Sequence, residues 1–312
     1  MRLREFRRED APRFFALLKT EFPEEERILG MRPEGFEQLL RRLYRADLRL
    51  LLGILHLFRR DPFHLYVVEE DGAIVGTTLL AFGPHVGFLS TVVVAPAYRR
   101  RGFARQMLDA ARQETARRRK PYVALGVLAA NAPARALYGS IGYTELNRQM
   151  FMVHDAPGSV PAPAHRPEIR PFRASDASAL AELSNRQHSE RTRAVLPVEA
   201  KALTGGNFGD RLFSAETSAW VVDRGSGPEA HVSATVSPLT EAGHLSSPIV
   251  ADAVPPELAA DLVRTATVWL ASRHAPRIAT NVYEENRPGH RALEEAGFHD
   301  ALPLLTLYRA SG

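Results

Sequence analysis

The stretch from Val92 to Arg105 carries the side chains whose types and order could do chemistry. Three valines, Val92, Val93 and Val94, are followed by Pro96 and then by a basic segment that leads into a helical pattern. That segment consists of Arg99, Arg100, Arg101, Gly102, Phe103, Ala104 and Arg105. Free backbone N–H groups and the dipole at a helix N-terminus both stabilise negative charge. The stretch therefore predicts a strand, a loop and a helix start that together bind a phosphate or pyrophosphate.

Each part of this arrangement has a physical role. Gly102 lets the backbone approach a pyrophosphate closely, and Ala104 keeps the surface low where the helix begins. The planar guanidinium group of arginine suits phosphate oxygens, so the basic segment adds favourable charge. Because Pro96 stops the strand, the backbone groups of residues 92–94 are left to pair with an extended ligand.

The elements that must position this loop occur twice along the chain. Residues 3–11 resemble residues 169–177, and each segment predicts a short strand followed by a helix. The candidate N-cap is Asp10 in the first segment and Ser175 or Asp176 in the second. Residues 156–165 are rich in proline and small residues, which is typical of a linker. The sequence thus predicts a front half, residues 1–155, and a rear half, residues 166–312.

Both halves have the same predicted order, in which hairpin strands precede a helix–strand–helix–strand run. The front half has predicted strands at 64–68, 74–82, 88–94, 122–128 and 149–153, and helices at 34–59, 102–119 and 132–140. The rear half has predicted strands at 219–222, 231–236, 249–254, 277–282 and 304–308, and helices at 257–272 and 288–296. This order indicates an α/β fold (an α+β mixed sheet) with helices on both faces.

Charge is distributed unevenly between the halves. Residues 1–155 hold 25 Lys and Arg against 18 Asp and Glu, a net charge of +7, whereas residues 156–312 hold 15 against 18, a net charge of −3. The positive half is the one with the basic loop, as an anionic ligand would favour. The chain lacks zinc-knuckle and RNA-binding aromatic patterns, so we expect no nucleic-acid partner.

Composition excludes further classes. The chain has no cysteine, which excludes a disulfide scaffold, a thiolate metal site and a cysteine nucleophile, and we expect no metal. The most apolar run, residues 48–58, is shorter than the roughly 20 residues that span a bilayer. We therefore expect no membrane partner and a soluble protein of the cytoplasm. The sequence leaves the oligomeric state open, a monomer with two paired domains being one possibility.

A second motif follows the basic loop at residues 131–143, which read Asn-Ala-Pro-Ala-Arg-Ala-Leu-Tyr-Gly-Ser-Ile-Gly-Tyr. Together with residues 99–104, this segment resembles the Gcn5-related N-acetyltransferase (GNAT) superfamily. The signature of that superfamily is Arg/Gln-x-x-Gly-x-Gly/Ala followed by Asn-x-x-Ala-x-x-Leu-Tyr-x-x-x-Gly-Tyr/Phe. The resemblance covers residues 1–155 and, more weakly, 166–312, and it implies two tandem GNAT-like acyl-CoA N-acyltransferase domains.

The resemblance implies acetyl-CoA as the cosubstrate, bound by the basic loop and by residues 92–94. In the superfamily, the amides of the pantetheine arm pair with this strand, and a strand N–H polarises the acetyl carbonyl. Tyr138 matches the position of the general acid, whose hydroxyl group donates a proton to the departing thiolate. Asn131 matches a residue at the start of the same helix that contacts the cofactor arm, and it could also be a plain N-cap.

The front half departs from the superfamily at the general base. Many members have an acidic residue on the strand before the loop, but here residues 89–92 read Leu-Ser-Thr-Val. The attacking amine must still lose a proton. The alternatives are bulk water or one of the following side chains: Glu21, Glu24, Glu25, Glu26, Glu69, Glu70 and His85.

The rear half departs more strongly. Its loop lacks the glycine and the arginines, and it has Asp252 and Glu257, which would repel a pyrophosphate. Aligned on Asn286 and Gly297, the tyrosine position holds Leu293. We expect a degenerate domain that keeps the fold without binding coenzyme A strongly.

Two functions are compatible with these motifs. The first is an N-acetyltransferase whose front half moves an acetyl group from acetyl-CoA to a primary amine of a small molecule or peptide. The second is a non-catalytic acyl-CoA sensor or regulatory protein, which the missing acidic residue favours and Tyr138 disfavours. The sequence does not identify the acceptor, because loops rather than the fold shape its pocket.

Overall fold

The computed structural model describes residues 2–23, 28–30, 32, 35, 63–161, 163–204 and 215–312. Apart from Gly35, the helical region predicted over 34–59 lies outside these residues, as do Glu24, Glu25 and Glu26.

The described elements of the front half match the predicted order. The strands are β1 (Arg2–Glu5), β2 (Phe63–Glu70), β3 (Ala73–Phe82), β4 (Val86–Val94), β5 (Tyr122–Leu128) and β6 (Thr144–His154). The helices are α1 (Ala11–Glu21), α2 (Phe103–Arg117) and α3 (Ala132–Ser140). The predicted elements from β2 to β6 are thus confirmed with shifted ends, and α2 begins directly after Gly102.

The rear half repeats this order. Its strands are β7 (Ile169–Pro171), β8 (Glu216–Asp223), β9 (Pro228–Val236), β10 (Gly243–Leu245), β11 (Ile249–Val250), β12 (Ile278–Tyr283) and β13 (His299–Ala310). Its helices are α4 (Ala177–Gln187), α5 (Glu190–Val195), α6 (Ala200–Leu203), α7 (Pro256–Ala271) and α8 (Arg287–Glu295). The strand predicted over 249–254 is wrong beyond Val250, because the N–H of Val254 turns back to the carbonyl of Ala251 at 3.0 Å.

The thirteen strands among the described residues belong to one sheet, and the last strands of the two halves are exchanged. The order along the sheet is β1-β2-β3-β4-β5-β13-β6-β12-β10-β9-β8-β7, with β11 paired to β9. Strand β13 of the rear half pairs antiparallel with β5 of the front half, and β6 of the front half pairs antiparallel with β12 of the rear half. Strands β13 and β6 also pair with each other, so the sheet runs without a break from one half to the other.

The start of each half is held by the same ion-pair network. Arg4 donates to both carboxylate oxygens of Asp10, at 2.7 and 2.8 Å, and to Glu69 at 2.6 Å. Arg170 does the same with Asp176, at 2.8 and 2.9 Å, and with Asp223 at 2.7 Å. The two aspartates therefore do not cap their helices as expected. Their carboxylates bind the arginines and accept the N–H groups that precede each helix.

Each half also packs on the sheet of the other. Val195 of α5 joins the apolar cluster of Val86, Ala124 and Leu146, which lies on the front half of the sheet. Ile28 joins Val153 and Ala279 on the rear half. The rear half thus covers part of the surface at the start of β4 and β5.

Candidate functional site

Strands β4 and β5 separate at the point where the predicted loop requires an opening. They pair in parallel only from Val86 to Leu89. Beyond Leu89, β4 continues along β3, whereas β5 continues along β13. A bulge assists the separation, since the β3–β4 register shifts here and Thr91 has a φ of 53°. The result is a cleft with one backbone edge of β4 exposed to it.

Val92 and Val94 present their backbone groups to this cleft. The N–H of Ala95 donates to the carbonyl of Val75 on β3, at 2.8 Å. Because successive residues of a strand point their backbone groups to opposite sides, Val93 also faces β3 and its two neighbours face away from it. The Val94 carbonyl accepts a hydrogen bond from Arg99 Nε at 3.0 Å. Of the three valines expected to bind the cofactor, two are therefore oriented for it.

The loop after β4 gives α2 an open N-terminus. Residues Pro96–Tyr98 form a single 3-10 turn, and Arg100 and Gly102 have φ values of 63° and 84°. The first hydrogen bond within α2 runs from the N–H of Gln106 to the carbonyl of Gly102 at 3.1 Å, so the N–H groups of residues 103–105 have no partner inside the helix. A Cβ atom at Gly102 would meet no atom within 4 Å. The donors and the free space fit a diphosphate.

Two of the four arginines of the basic segment are held by carboxylates. Arg99 pairs with Glu21 of α1, and Arg101 Nη2 lies 2.7 Å from Glu70 Oε1. Arg105 Nη2 donates to Ser140 Oγ at 3.2 Å, and Arg100 forms no ion pair with the described residues. The positive charge available to a ligand therefore comes mainly from Arg100 and Arg105. The contacts of Glu21 and Glu70 were not predicted from the sequence.

The described carboxylates that were candidates for the general base are all paired with arginines. Besides Glu21 and Glu70, Glu69 accepts a hydrogen bond from Arg4 at 2.6 Å, which lowers the pKa of Glu69. His85 Nδ1 lies 3.2 Å from the carbonyl oxygen of Ala194. The structure therefore singles out none of these groups as a base. Glu24, Glu25 and Glu26 lie outside the described residues.

Tyr138 lies on α3 and is only 5% exposed. It belongs to the same apolar cluster as Leu89, Leu125 and Val92, which line the point where β4 and β5 separate. Its hydroxyl has no hydrogen-bond partner among the described residues. Burial raises the pKa of Tyr138 to about 12. The phenol therefore remains a proton donor at neutral pH.

Asn131 caps the helix that carries Tyr138. Its Oδ1 accepts the N–H of Ala134 at 3.1 Å, and its side chain is exposed. Since the cap uses only the oxygen, the side-chain amide remains a donor for a ligand. Asn131 can therefore serve both as an N-cap and as a cofactor contact.

In the rear half, side chains already occupy backbone carbonyls at the corresponding place. Asn286 Nδ2 donates to the Pro248 carbonyl at 2.6 Å, and Gln187 Nε2 donates to the Val250 carbonyl at 2.5 Å. Leu293, at the tyrosine position, is fully buried. Helix α7 begins at Pro256 directly after Pro255, and neither residue has an N–H for a phosphate.

The constant offset between the two repeats could have revealed this difference between the two clefts from the sequence. Gln187 follows Glu21 by 166 positions, as Asp176 follows Asp10 and Arg170 follows Arg4. Gln187, whose side-chain amide is a donor, therefore occupies in the rear half the position at which the front half has Glu21, the acceptor that binds Arg99.

The separated strands, the glycine loop and the buried tyrosine define the class of the front half as an acyl-CoA-dependent acyltransferase fold. Residues 11–143 match the model of the acetyltransferase (GNAT) family. The match supports acyl transfer from an acyl-CoA as the type of reaction. No curated protein sequence matches the chain.

Solved structures extend the likeness to the whole chain. A GCN5-related N-acetyltransferase from Sphaerobacter thermophilus is 17% identical, with a TM-score of 0.64 over 99% of this chain and 95% of that chain. A tandem GNAT protein from the clavulanic acid biosynthesis pathway is also 17% identical, with a TM-score of 0.58 over 80% of this chain and 83% of that chain. The chain therefore has a tandem GNAT fold.

Within the described residues, no group of three or more His, Cys, Asp or Glu side chains is arranged to hold a metal ion. No described helix combines the length and the apolar character needed to cross a membrane.

Proposed function

We propose that this protein is an N-acetyltransferase that transfers the acetyl group of acetyl-CoA to a primary amine of a small molecule or peptide, and that its front half carries the reaction. The separation of β4 from β5 beside the Gly102 loop and Tyr138 carries the proposal. We also propose that the chain is divided into an active domain (1–155), a linker (156–165) and a degenerate domain (166–312). The absence of cysteine is compatible with a reducing cytoplasm as the site of action.

The diphosphate of acetyl-CoA would lie against the N–H groups of residues 103–105, near Arg100 and Arg105. The pantetheine arm would pair with the exposed edge of β4 at Val92 and Val94, and Asn131 would donate to it. A β4 N–H that faces the cleft would polarise the acetyl carbonyl. Val93 faces β3, so we propose that it contributes by anchoring the strand.

The chemistry then needs no covalent enzyme intermediate. The amine nitrogen attacks the acetyl carbonyl carbon, so that a C–N bond forms and the C–S bond breaks. The sulfur leaves as a thiolate and receives the proton of the Tyr138 hydroxyl. Water takes the proton that the amine releases, since the described carboxylates are paired with arginines, and water returns a proton to the Tyr138 phenolate.

This proposal is tested by measuring whether the chain acetylates an amine. The full chain is mixed with acetyl-CoA and a panel of primary amines, and the release of free coenzyme A is measured together with the mass of the product. We expect at least one acceptor to gain one acetyl group. The arginine-paired carboxylates favour the second candidate, an acyl-CoA sensor, and tight binding of acetyl-CoA without turnover on any amine would support that candidate instead.

Replacing Tyr138 with phenylalanine should separate binding from catalysis. Loss of a general acid lowers kcat by about 10²- to 10⁴-fold, while the affinity for acetyl-CoA should hardly change because the ring is kept. Tyr143→Phe is the matched control, since Tyr143 is also buried and its hydroxyl has no partner among the described residues. Steady-state kinetics of both variants provide the measurement. Equal rates for Tyr138→Phe and the wild type would exclude Tyr138 as the acid.

The pH profile should show the raised pKa of Tyr138. A phenol with a pKa of about 12 keeps its proton far above neutrality, so its acid function is present below that value and lost only as the pH rises through it. An ordinary tyrosine, with a pKa of about 10, would already lose its proton at milder pH. We expect kcat, at saturating acetyl-CoA and amine, to show no descending limb between about pH 8 and 10. A descending limb in that range that is absent from Tyr138→Phe would show that Tyr138 loses its proton there, and would contradict the raised pKa.

A further inference from the structure

A second cavity, of about 460 Å³, lies in the rear half, away from the front cleft. It is bounded by β8, β9, α6 and the segment between β10 and β11. Its lining includes the hydroxyl side chains of Thr217, Ser218, Ser233, Thr235, Ser246 and Ser247. None of the described residues that line it is charged. Such a cavity has the size of a small-molecule site and a polar but neutral surface.

His231 lines this cavity with two unmatched ring nitrogens. The side chain is 2% exposed, and neither Nδ1 nor Nε2 has a hydrogen-bond partner among the described residues. Phe172 packs edge-to-face against the imidazole, with the ring centroids 5.4 Å apart, and also lines the cavity. Leaving a buried polar group unpaired costs about 1–3 kcal/mol. A binding partner inside the cavity would remove that cost.

The hydrogen-bonding groups around His231 select a neutral partner. Burial lowers the pKa of His231 to about 4, so the imidazole is neutral at physiological pH and offers one donor and one acceptor. Ser247 Oγ, on the same lining, is likewise buried without a partner among the described residues. The described residues of the lining offer no countercharge to a charged ligand. A molecule with several hydroxyl groups could match the imidazole and serine groups, and its C–H faces could pack on Phe172.

The front half has no unpaired buried histidine at the position that corresponds to His231. Ile249 pairs with His231 as Val93 pairs with Thr77, so His231 stands at the position of Thr77. Thr77 Oγ1 is satisfied by the Tyr66 carbonyl at 3.0 Å. Beside the cavity, Asn286 and Gln187 already occupy the carbonyls of Pro248 and Val250, so these carbonyls are not free to pair with the arm of an acyl donor.

We propose that this cavity is a binding site for a neutral, polyhydroxylated small molecule of the sugar class, which is bound by His231 and Ser247 and is not acylated. The site is separate from the front cleft, so it stands whether or not the front half is an enzyme. It gives the degenerate domain a ligand of its own.

The test is calorimetric titration of the full chain with D-glucose, N-acetyl-D-glucosamine and myo-inositol as neutral probes. Gluconate and glucose 6-phosphate serve as charged probes of similar size. We expect at least one neutral probe to bind with a Kd below about 10 mM, and both charged probes to bind at least about tenfold more weakly. The absence of binding by all three neutral probes, or equal binding of the charged ones, would overturn the proposal.

Two variants locate the binding within the chain. His231→Phe and Ser247→Ala should each weaken the bound probe by about tenfold, the effect of losing one buried hydrogen bond. His165→Phe, in the exposed linker, is the matched control and should leave probe binding unchanged. A cooperative transition in thermal unfolding should be kept by all three variants, which shows that they fold. Undiminished probe binding in His231→Phe would place the ligand elsewhere and refute the site.

Discussion

A chain that ends at Phe298 should neither unfold cooperatively like the wild type nor bind acetyl-CoA. The deletion removes β13, which stands between β5 and β6 in the middle of the sheet. It takes Leu305 and Leu307 out of the apolar cluster that holds Tyr138. Burial of each leucine is worth about 1.5–3 kcal/mol, and the ladder hydrogen bonds to two strands are lost as well. Domains are stable by only about 5–15 kcal/mol in total, so the front half should not survive.

The measurements are thermal unfolding and calorimetric titration with acetyl-CoA. A chain that lacks only Gly312 is the control, because this residue is exposed and should leave both values unchanged. Adding a synthetic peptide of residues 299–312 to the shortened chain should restore part of the binding. If the shortened chain binds acetyl-CoA as tightly as the wild type without the peptide, the front half folds without β13 and the exchange of strands has no structural importance.

Gly102→Glu should abolish acetyl-CoA binding, with an affinity loss of at least about 100-fold, or about 2.7 kcal/mol. The new carboxylate would lie at the N-terminus of α2, where the open N–H groups and the helix dipole favour an anion. Its side chain would fill the space above residue 102, in which no protein atom lies within 4 Å. The φ of 84° adds strain for any residue with a Cβ, of about 1–2 kcal/mol.

Gly72→Glu is the control that separates the backbone strain of a glutamate at positive φ from the loss of acetyl-CoA binding. Gly72 also has a positive φ, 75°, and no atom within 4 Å of an added Cβ, but it lies in the β2–β3 turn. Both variants should lose similar stability in thermal unfolding, and only Gly102→Glu should lose acetyl-CoA binding in a calorimetric titration. If the two variants bind acetyl-CoA equally well, the diphosphate does not lie at residue 102.

Much of the candidate site could be predicted because it is local in the chain. The strand end, the loop and the start of α2 are contiguous, and the left-handed backbone at Gly102 follows from a glycine before a helix. Asn131 and Tyr138 share one short helix, so their relation follows from helical spacing. In the rear half, Leu293 and the loss of the glycine were likewise readable from the repeat.

The contacts that modify this site are long-range and could not be predicted. Glu21 and Glu70 hold Arg99 and Arg101 only because α1 and β2 pack beside the loop, so the sequence overestimates the charge available to a ligand. The orientation of Val93 depends on the β3–β4 register, which a single bulge at Thr91 shifts. The two unmatched nitrogens of His231 depend on which strands and helices surround a cavity, and no spacing along the chain indicates that.

By itself, the sequence determined that the chain contains the same unit twice and that only the first copy has a glycine and arginines before α2 and a tyrosine on α3. These properties depend on residues a few positions apart, whose relation is set by the geometry of one turn or one helix. Only the tertiary structure decided that β13 and β6 change places between the halves. Either strand could pair with its own half or with the other, because strand pairing depends on backbone hydrogen bonds that every residue except proline can form, and packing across the whole sheet selects the partner.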